Sequence, residues 1–431
     1  MHFVPSIKEL LAKPYLLIYS FLIFVLPFVF SRETHELYEF PKITLLYTVC
    51  TITVAMFLSG LILKPGKTSR VPRAIILFLA TMGISTLLSP HIYTSLFGYY
   101  SRFADSLTFY LAVSSLYYVA VNVFSADDFK KLLKVAQVGS VFLFMFALGQ
   151  YFEPFNFLWG GQLQDRVFST LGQPNWYAQY VLILLGISLY EYLFHNGKIY
   201  LLFYFVQFFS LWLTFSMSGL TGFLALIVFY LVRFFLKEKV ENRSGLYLRT
   251  AAVAVVTLII PLLFPGMFRE RLNDVFIDAK KVVSNAVTVH AQTGTEENLV
   301  SDPGYIRSGL WGGTVKMIVS DPKVFLFGSG PETFPYYFQK FRPVSLNYSS
   351  EWNYVFNKPH NYYLETWAEQ GLVGVLSFLY LLYFLFRRVE KRYKGGVLAF
   401  AVTNIFGWPT VATAVLLWLL LATVKGKHED L

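Results

Sequence analysis

Charge is what this chain has least of. Of its 431 residues only 14% are Asp, Glu, Lys or Arg, while 55% are hydrophobic; soluble domains carry about 25% charged residues. A mean hydropathy of +0.52 agrees. A lone cysteine, Cys50, excludes a disulfide within the chain and any Cys-based metal cluster. No D-x-D triplet occurs, since Asp127 and Asp128 are adjacent, which argues against a metal-bound nucleotide-sugar site. The seven histidines form no H-x-x-x-H pair or other zinc spacing. Ionisable residues are scarce inside the apolar stretches, where Glu191 and Arg249 stand near segment ends, and that scarcity counts against a proton-coupled transporter. The net charge of +10 would suggest nucleic acid in a soluble chain. In a chain this apolar it is read from where the cations lie, and no nucleic-acid partner is implied.

Present instead are long apolar runs. A helix crossing the hydrocarbon core needs roughly 20 apolar residues, and twelve segments qualify or nearly so: 14–30, 43–63, 72–89, 107–124, 135–152, 177–194, 199–216, 219–236, 248–266, 366–386, 395–408 and 410–424. Gly407-Trp408-Pro409 interrupts the last apolar stretch, which reads as two short helices. The first segment lacks a small-residue cleavage site and reads as a helix, not a removed signal. The expected fold is an all-α, polytopic membrane protein of about twelve helices. Lys and Arg mark the cytoplasmic connections: Lys64, Lys67 and Arg70; Lys130, Lys131 and Lys134; Lys237, Lys239 and Arg243; and Arg387, Arg388, Lys391, Arg392 and Lys394. Among the short connections on the other side, one holds Arg102 alone, another holds Arg166 alone, and 217–218 holds no cation. Both termini are therefore expected in the cytoplasm. Three regions follow: residues 1–266 with nine spans, a long helical outer-face loop at 267–365, and residues 366–431 with three spans and a tail. A loop of that length in a compact protein is usually functional.

The outer-face polar residues each carry two readings. Arg102, in Tyr99-Tyr100-Ser101-Arg102-Phe103-Ala104-Asp105, is an interfacial anchor paired with Asp105 or a cation aimed at a ligand. Arg166 opens a stretch in which Gly172-Gln173-Pro174-Asn175 reads as a turn with Asn175 as a cap, or as an amide for a sugar hydroxyl. Asp302-Pro303-Gly304-Tyr305-Ile306-Arg307 reads as a helix start, with Arg307 stacked on Trp311 or gripping phosphate. Gly328-Ser329-Gly330-Pro331-Glu332 is a turn whose amides can hold an anion. In Asn357-Lys358-Pro359-His360-Asn361-Tyr362-Tyr363-Leu364-Glu365, Asn357 can cap and His360 then sits near the positive end of a helix, where the neutral imidazole is favoured. That ring either accepts a proton from a hydroxyl or simply bonds Asn361 or Glu365 at headgroup level.

Taken together, these segments resemble the O-antigen ligase family of bacterial membrane glycosyltransferases, which also includes polysaccharide polymerases and protein O-oligosaccharyltransferases. The similarity rests on Gly98 to Asp105, on Arg166 to Ala178, on Arg307 to Trp311 with Pro322 and Phe327 to Phe334, and above all on Pro359 to Gly374. It implies a GT-C-like fold and an undecaprenyl-diphosphate glycan donor taken at the outer face of the inner membrane. No metal or other cofactor is implied. The acceptor would be a glycan, lipid A core or protein, with membrane lipids around the spans. By the same resemblance His360 is catalytic and Arg307, Arg102 and Arg166 bind the diphosphate, with Asn175, Asn361, Tyr305 and Gly330 as further substrate contacts. One departure stands out: the family usually has a Ser-Arg pair where this chain reads Ser216-Met217. A polymerase is the alternative within the enzyme class, and a lipid-linked glycan transporter or flippase is the alternative outside it.

Overall fold

The computed structural model describes residues 5–100, 102–152, 166–236, 243–265 and 303–424. Residues 267–302 of the expected outer-face loop, Asp302 included, lie outside them. Helices carry the architecture: α1 (Ile7–Ala12), α2 (Pro14–Val25), α3 (Glu39–Leu63), α4 (Arg73–Leu87), α5 (Ile92–Phe97), α6 (Leu107–Val123), α7 (Ala126–Tyr151), α8 (Pro174–His195), α9 (Ile199–Leu213), α10 (Met217–Leu236), α11 (Arg243–Leu263), α12 (Pro303–Val319), α13 (Pro322–Phe327), α14 (Phe334–Phe338), α15 (Tyr362–Arg388), α16 (Lys391–Thr403) and α17 (Val411–Ala422). A helix occupies each of the twelve apolar segments. Among the described residues, five helices are long and apolar enough to cross a membrane alone: α3, α7, α8, the Ser244–Leu263 part of α11, and α15. Shorter apolar helices accompany them. The protein is a multi-pass membrane protein.

Some boundaries differ from hydropathy. Helix α7 begins nine residues before the apolar run at 135, because Ser125 and Asp128 close a capping box that starts the helix in charged sequence. Near the other end, Gly407, Trp408 and Pro409 do separate two helices, and the Thr410 side chain accepts from Thr413 N at the start of α17.

The centre is α8, buried along almost all of its length and packed on α9, α10 and α16. Its backbone meets α16 directly, since a Cβ on Gly186 would lie 2.5 Å from Gly396 N. Small residues permit such approach where lipid supplies no hydrophobic drive between helices. A polar cluster joins α7, α8 and α9: Ser188 Oγ donates to Gln207 Oε1 (2.8 Å) and Gln137 Oε1 (3.1 Å), Gln207 Nε2 donates to Ser140 Oγ (3.0 Å), and Gln137 Nε2 donates to Leu184 O (3.1 Å). At the periphery the pattern inverts. Leu258 and Leu262 on α11 are 65% and 77% exposed, so that face is suited to lipid.

The expected outer module has a small core of its own, built from Ile306, Leu310, Met317, Ile318, Phe334, Phe338, Leu346, Phe356 and Ala368. Ala368 belongs to α15, which ties this layer to the bundle. Helix α15 is broken at Gly371 (φ 74°), so Tyr362–Gln370 forms a separate leg.

Candidate active site

The site gathers loops at the ends of α6, α8, α15 and α17 around Trp408. His360 stands in the left-handed region (φ 56°), just before α15, and packs edge-on against the Trp408 indole (5.0 Å between ring centres). Asn361, not Asn357, caps the helix, accepting from Tyr363 N and Leu364 N at 3.0 Å. His360 therefore precedes the helix instead of lying in its first turn. The surrounding protein desolvates its ring, and the positive charges of Arg307, Arg102 and Lys358 push the imidazole further down, to about 3. The ring is neutral at pH 7.

Three of the expected cations are placed as follows. Arg307 lies half-buried on α12, near enough to act on His360. Trp311, one turn on, donates its indole N–H to Pro359 O (3.1 Å) and so fastens α12 to the histidine loop. Arg102 does not pair with Asp105. Its guanidinium lies over Trp408 (5.3 Å) and over Trp176 (5.5 Å), the latter on the first turn of α8. Arg166 is held by the turn entering α10: its Nε donates to Thr214 O (3.0 Å) and its Nη2 to Asn175 Oδ1 (3.1 Å). Asn175 is no helix cap, because Gln173 precedes α8 without a side-chain cap and Asn175 Oδ1 also accepts from Ser216 Oγ (2.6 Å). A guanidinium thus stands at the Ser216-Met217 turn although the sequence there has methionine.

Two expected contacts serve structure instead. The Tyr305 hydroxyl donates to Ser345 O (3.1 Å). The Gly330 turn is not an anion cradle: Ser329 N and Gly330 N donate to Ala368 O (3.0 Å) and Glu369 O (2.8 Å), while Glu332 N and Phe334 N donate to the Glu369 carboxylate (2.8 and 3.0 Å). The carbonyls freed where α15 breaks at Gly371 consume those amides.

Sequence reasoning missed the charge that holds the site together. Lys358, 2% exposed, donates to Glu332 (2.7 Å), to Asp105 (3.1 Å) and to Glu365. Burial alone would depress the ammonium, but the carboxylates of Glu332, Glu365 and Asp105 hold it charged well above the usual lysine range. Oxygens of the three carboxylates converge within 4.8 Å of one another, a spacing suited to a divalent ion, and the ammonium sits among them. Asp105 also accepts from the Tyr110 hydroxyl (3.3 Å), which in turn bonds Tyr362. One lysine thereby joins the Arg102 loop, the Gly330 turn and the His360 loop. Glu369 was overlooked inside the apolar run 366–386, where it is 4% exposed. The available signal was rarity, since a lysine and four carboxylates near apolar segments of so uncharged a chain call for partners.

Residues 202–379 match the family model described as O-antigen ligase. That stretch is similar to the O-antigen ligase family. The match runs from α9 through Arg307 and the Gly330 turn to His360 and the upper part of α15; Arg102, Arg166 and Trp408 lie outside it. No curated protein matches the chain. The match supports a membrane glycosyltransferase of the ligase or polymerase group, a class that uses lipid-linked glycan donors and glycan or lipid A acceptors.

Proposed function

We propose that this chain transfers a glycan from a polyprenyl-diphosphate carrier, undecaprenyl diphosphate by family resemblance, to an acceptor hydroxyl at the outer face of the inner membrane. The observation that carries the reading is a neutral imidazole flanked by Arg307 and Arg102 beside an indole platform. A lipid diphosphate leaving group gathers negative charge as its glycosidic bond breaks, and fixed cations stabilise that charge without reorganising. Arg307 and Arg102 supply them near the histidine, and Arg166 adds a third on the side of Asn175 and Ser216.

In this mechanism the acceptor oxygen attacks the anomeric carbon from the face opposite the diphosphate, and the carbon–oxygen bond to the carrier breaks with inversion. No metal takes part. The attacking hydroxyl becomes strongly acidic as its new bond forms, so a weakly basic imidazole suffices to receive its proton. Cations beside His360 keep it in the accepting form.

A polymerase would use the same chemistry and differ in acceptor, building on its own lipid carrier. A transporter or flippase needs a polar path through the membrane, whereas Gln137, Ser140, Ser188 and Gln207 bond one another across α7, α8 and α9. Purified protein incubated with a defined lipid-linked oligosaccharide and several acceptors tests the proposal, with products resolved by mass. Transfer to a distinct acceptor supports a ligase, and a ladder on the carrier supports a polymerase. Movement of donor between leaflets with no product overturns the enzymatic reading.

A further inference from the structure

Trp176 was not among the residues expected in the site, yet its position is unusual. It lies on the first turn of α8 beside Asn175, is 7% exposed, and packs edge-on against Trp408 (5.8 Å, 72°). Its indole Nε1–H is buried without an acceptor in the protein. The guanidinium over its ring, that of Arg102, has the same defect at Nη1. Buried donors are nearly always satisfied, and leaving one unpaired costs about 1–3 kcal/mol. Two such donors on adjoining side chains, in the cage that holds His360, mark a place built to receive an acceptor.

The chemistry of that acceptor follows from the donors. An indole N–H and a guanidinium cannot accept a hydrogen bond. Their complement is an oxygen that need donate nothing in return. A sugar hydroxyl must also place its own hydrogen, and neither group takes it; a phosphoryl oxygen has none to place and is drawn by the guanidinium charge. The carboxylate of Glu39 is the competing acceptor nearby: its Oε2 accepts from Val411 N (2.8 Å) and its Oε1 is unpartnered. It belongs to α3 and to the α17 start, whereas Trp408 and His360 border the indole side of the cage.

We infer that Trp176 Nε1 and Arg102 Nη1 together seat one phosphoryl oxygen of the lipid diphosphate. Trp176 is thus a further donor-binding residue, and Trp408 a platform that aligns Arg102 with His360. The inference rests on the proposed lipid-diphosphate donor and deepens it.

The test is Trp176→Phe, which keeps an aromatic ring under Arg102 and removes only the N–H. The probe is polyprenyl diphosphate without a glycan, whose binding can be measured with no turnover. Affinity is expected to fall about ten- to a hundredfold, as for a lost hydrogen bond to a charged group, while the affinity for acceptor is unchanged. Trp176→His, which returns a ring N–H, should recover part of the loss. If the Phe variant melts well below the wild type, Arg102→Lys reads the same seat and should weaken the probe comparably. Wild-type affinity in Trp176→Phe overturns the inference and leaves the proposed function standing, as does a loss confined to the glycan-bearing donor. Failure of the wild-type protein to bind any polyprenyl diphosphate overturns both.

Discussion

Lys358 shows at the scale of a single residue how the site is held. Its ammonium neutralises part of a carboxylate cluster contributed by three segments, and removing one partner from a buried ion pair leaves uncompensated charge, at a cost of about 3–5 kcal/mol. Lys358→Met should therefore lower the thermal midpoint sharply, with a loss of about that size in denaturant unfolding. An unchanged midpoint would mean that the cluster does not bear on folding. His360 carries a second prediction. With its ring held down by burial and by Arg307, Arg102 and Lys358, acid should not inhibit turnover through this residue until far below neutrality. Arg307→Gln removes one repelling charge, so the imidazole pKa rises and the acidic limb of kcat for the remaining activity moves to higher pH. A limb that stays in place would separate Arg307 from the histidine. The sequence displayed His360, its neighbours and the three arginines, because their local patterns are legible one at a time. It concealed Lys358, Trp176 and Trp408, because each acts through partners more than two hundred positions away or on a different loop, as in Lys358 with Asp105 and Arg102 with Trp408.

At the scale of elements, the break in α15 does the positioning. Gly371 adopts φ 74°, and a Cβ there would lie 2.2 Å from the backbone of Leu326; Gly328, at φ 78°, would meet Glu369 backbone at 2.1 Å. The two segments touch main chain to main chain, which frees Ala368 O and Glu369 O to bind Ser329 N and Gly330 N. Gly371→Ala should destabilise by more than about 2 kcal/mol, since left-handed backbone and steric overlap both oppose a side chain; a stable, active alanine variant would contradict this packing. Hydropathy located α15 as an apolar run from residue 366 and did not see the break, because Gly371 lies inside that run and a single glycine there does not by itself mark one. It also placed the start of α7 late, since a capping box operates in charged sequence. The left-handed residues tell a related story: apart from Asn196, the non-glycine residues with positive φ among those described are Phe103, Asp105, Ser169, Phe215, Glu332 and His360. All lie on the loops that carry or support the site, where stored strain is characteristic of function.

For the whole molecule, the apolar helices place the chain in a membrane and the family match supports a glycosyltransferase, while the charge bias of the connections predicts which side the site faces. Cys50 is buried, so a cysteine introduced elsewhere reports its own exposure. An impermeant thiol reagent added to intact cells should label Tyr354→Cys, at a position 60% exposed on the expected outer layer, and should spare Lys67→Cys until the membrane is opened. The reverse pattern would turn the site toward the cytoplasm and remove it from the proposed donor. The central claim, that an imidazole beside two guanidinium groups performs glycosyl transfer from a lipid diphosphate, is tested most directly by measuring turnover and donor binding side by side in His360→Ala. Transfer should fall by at least about a hundredfold, the scale of a lost general base, with donor affinity largely kept; near-normal transfer would contradict the account.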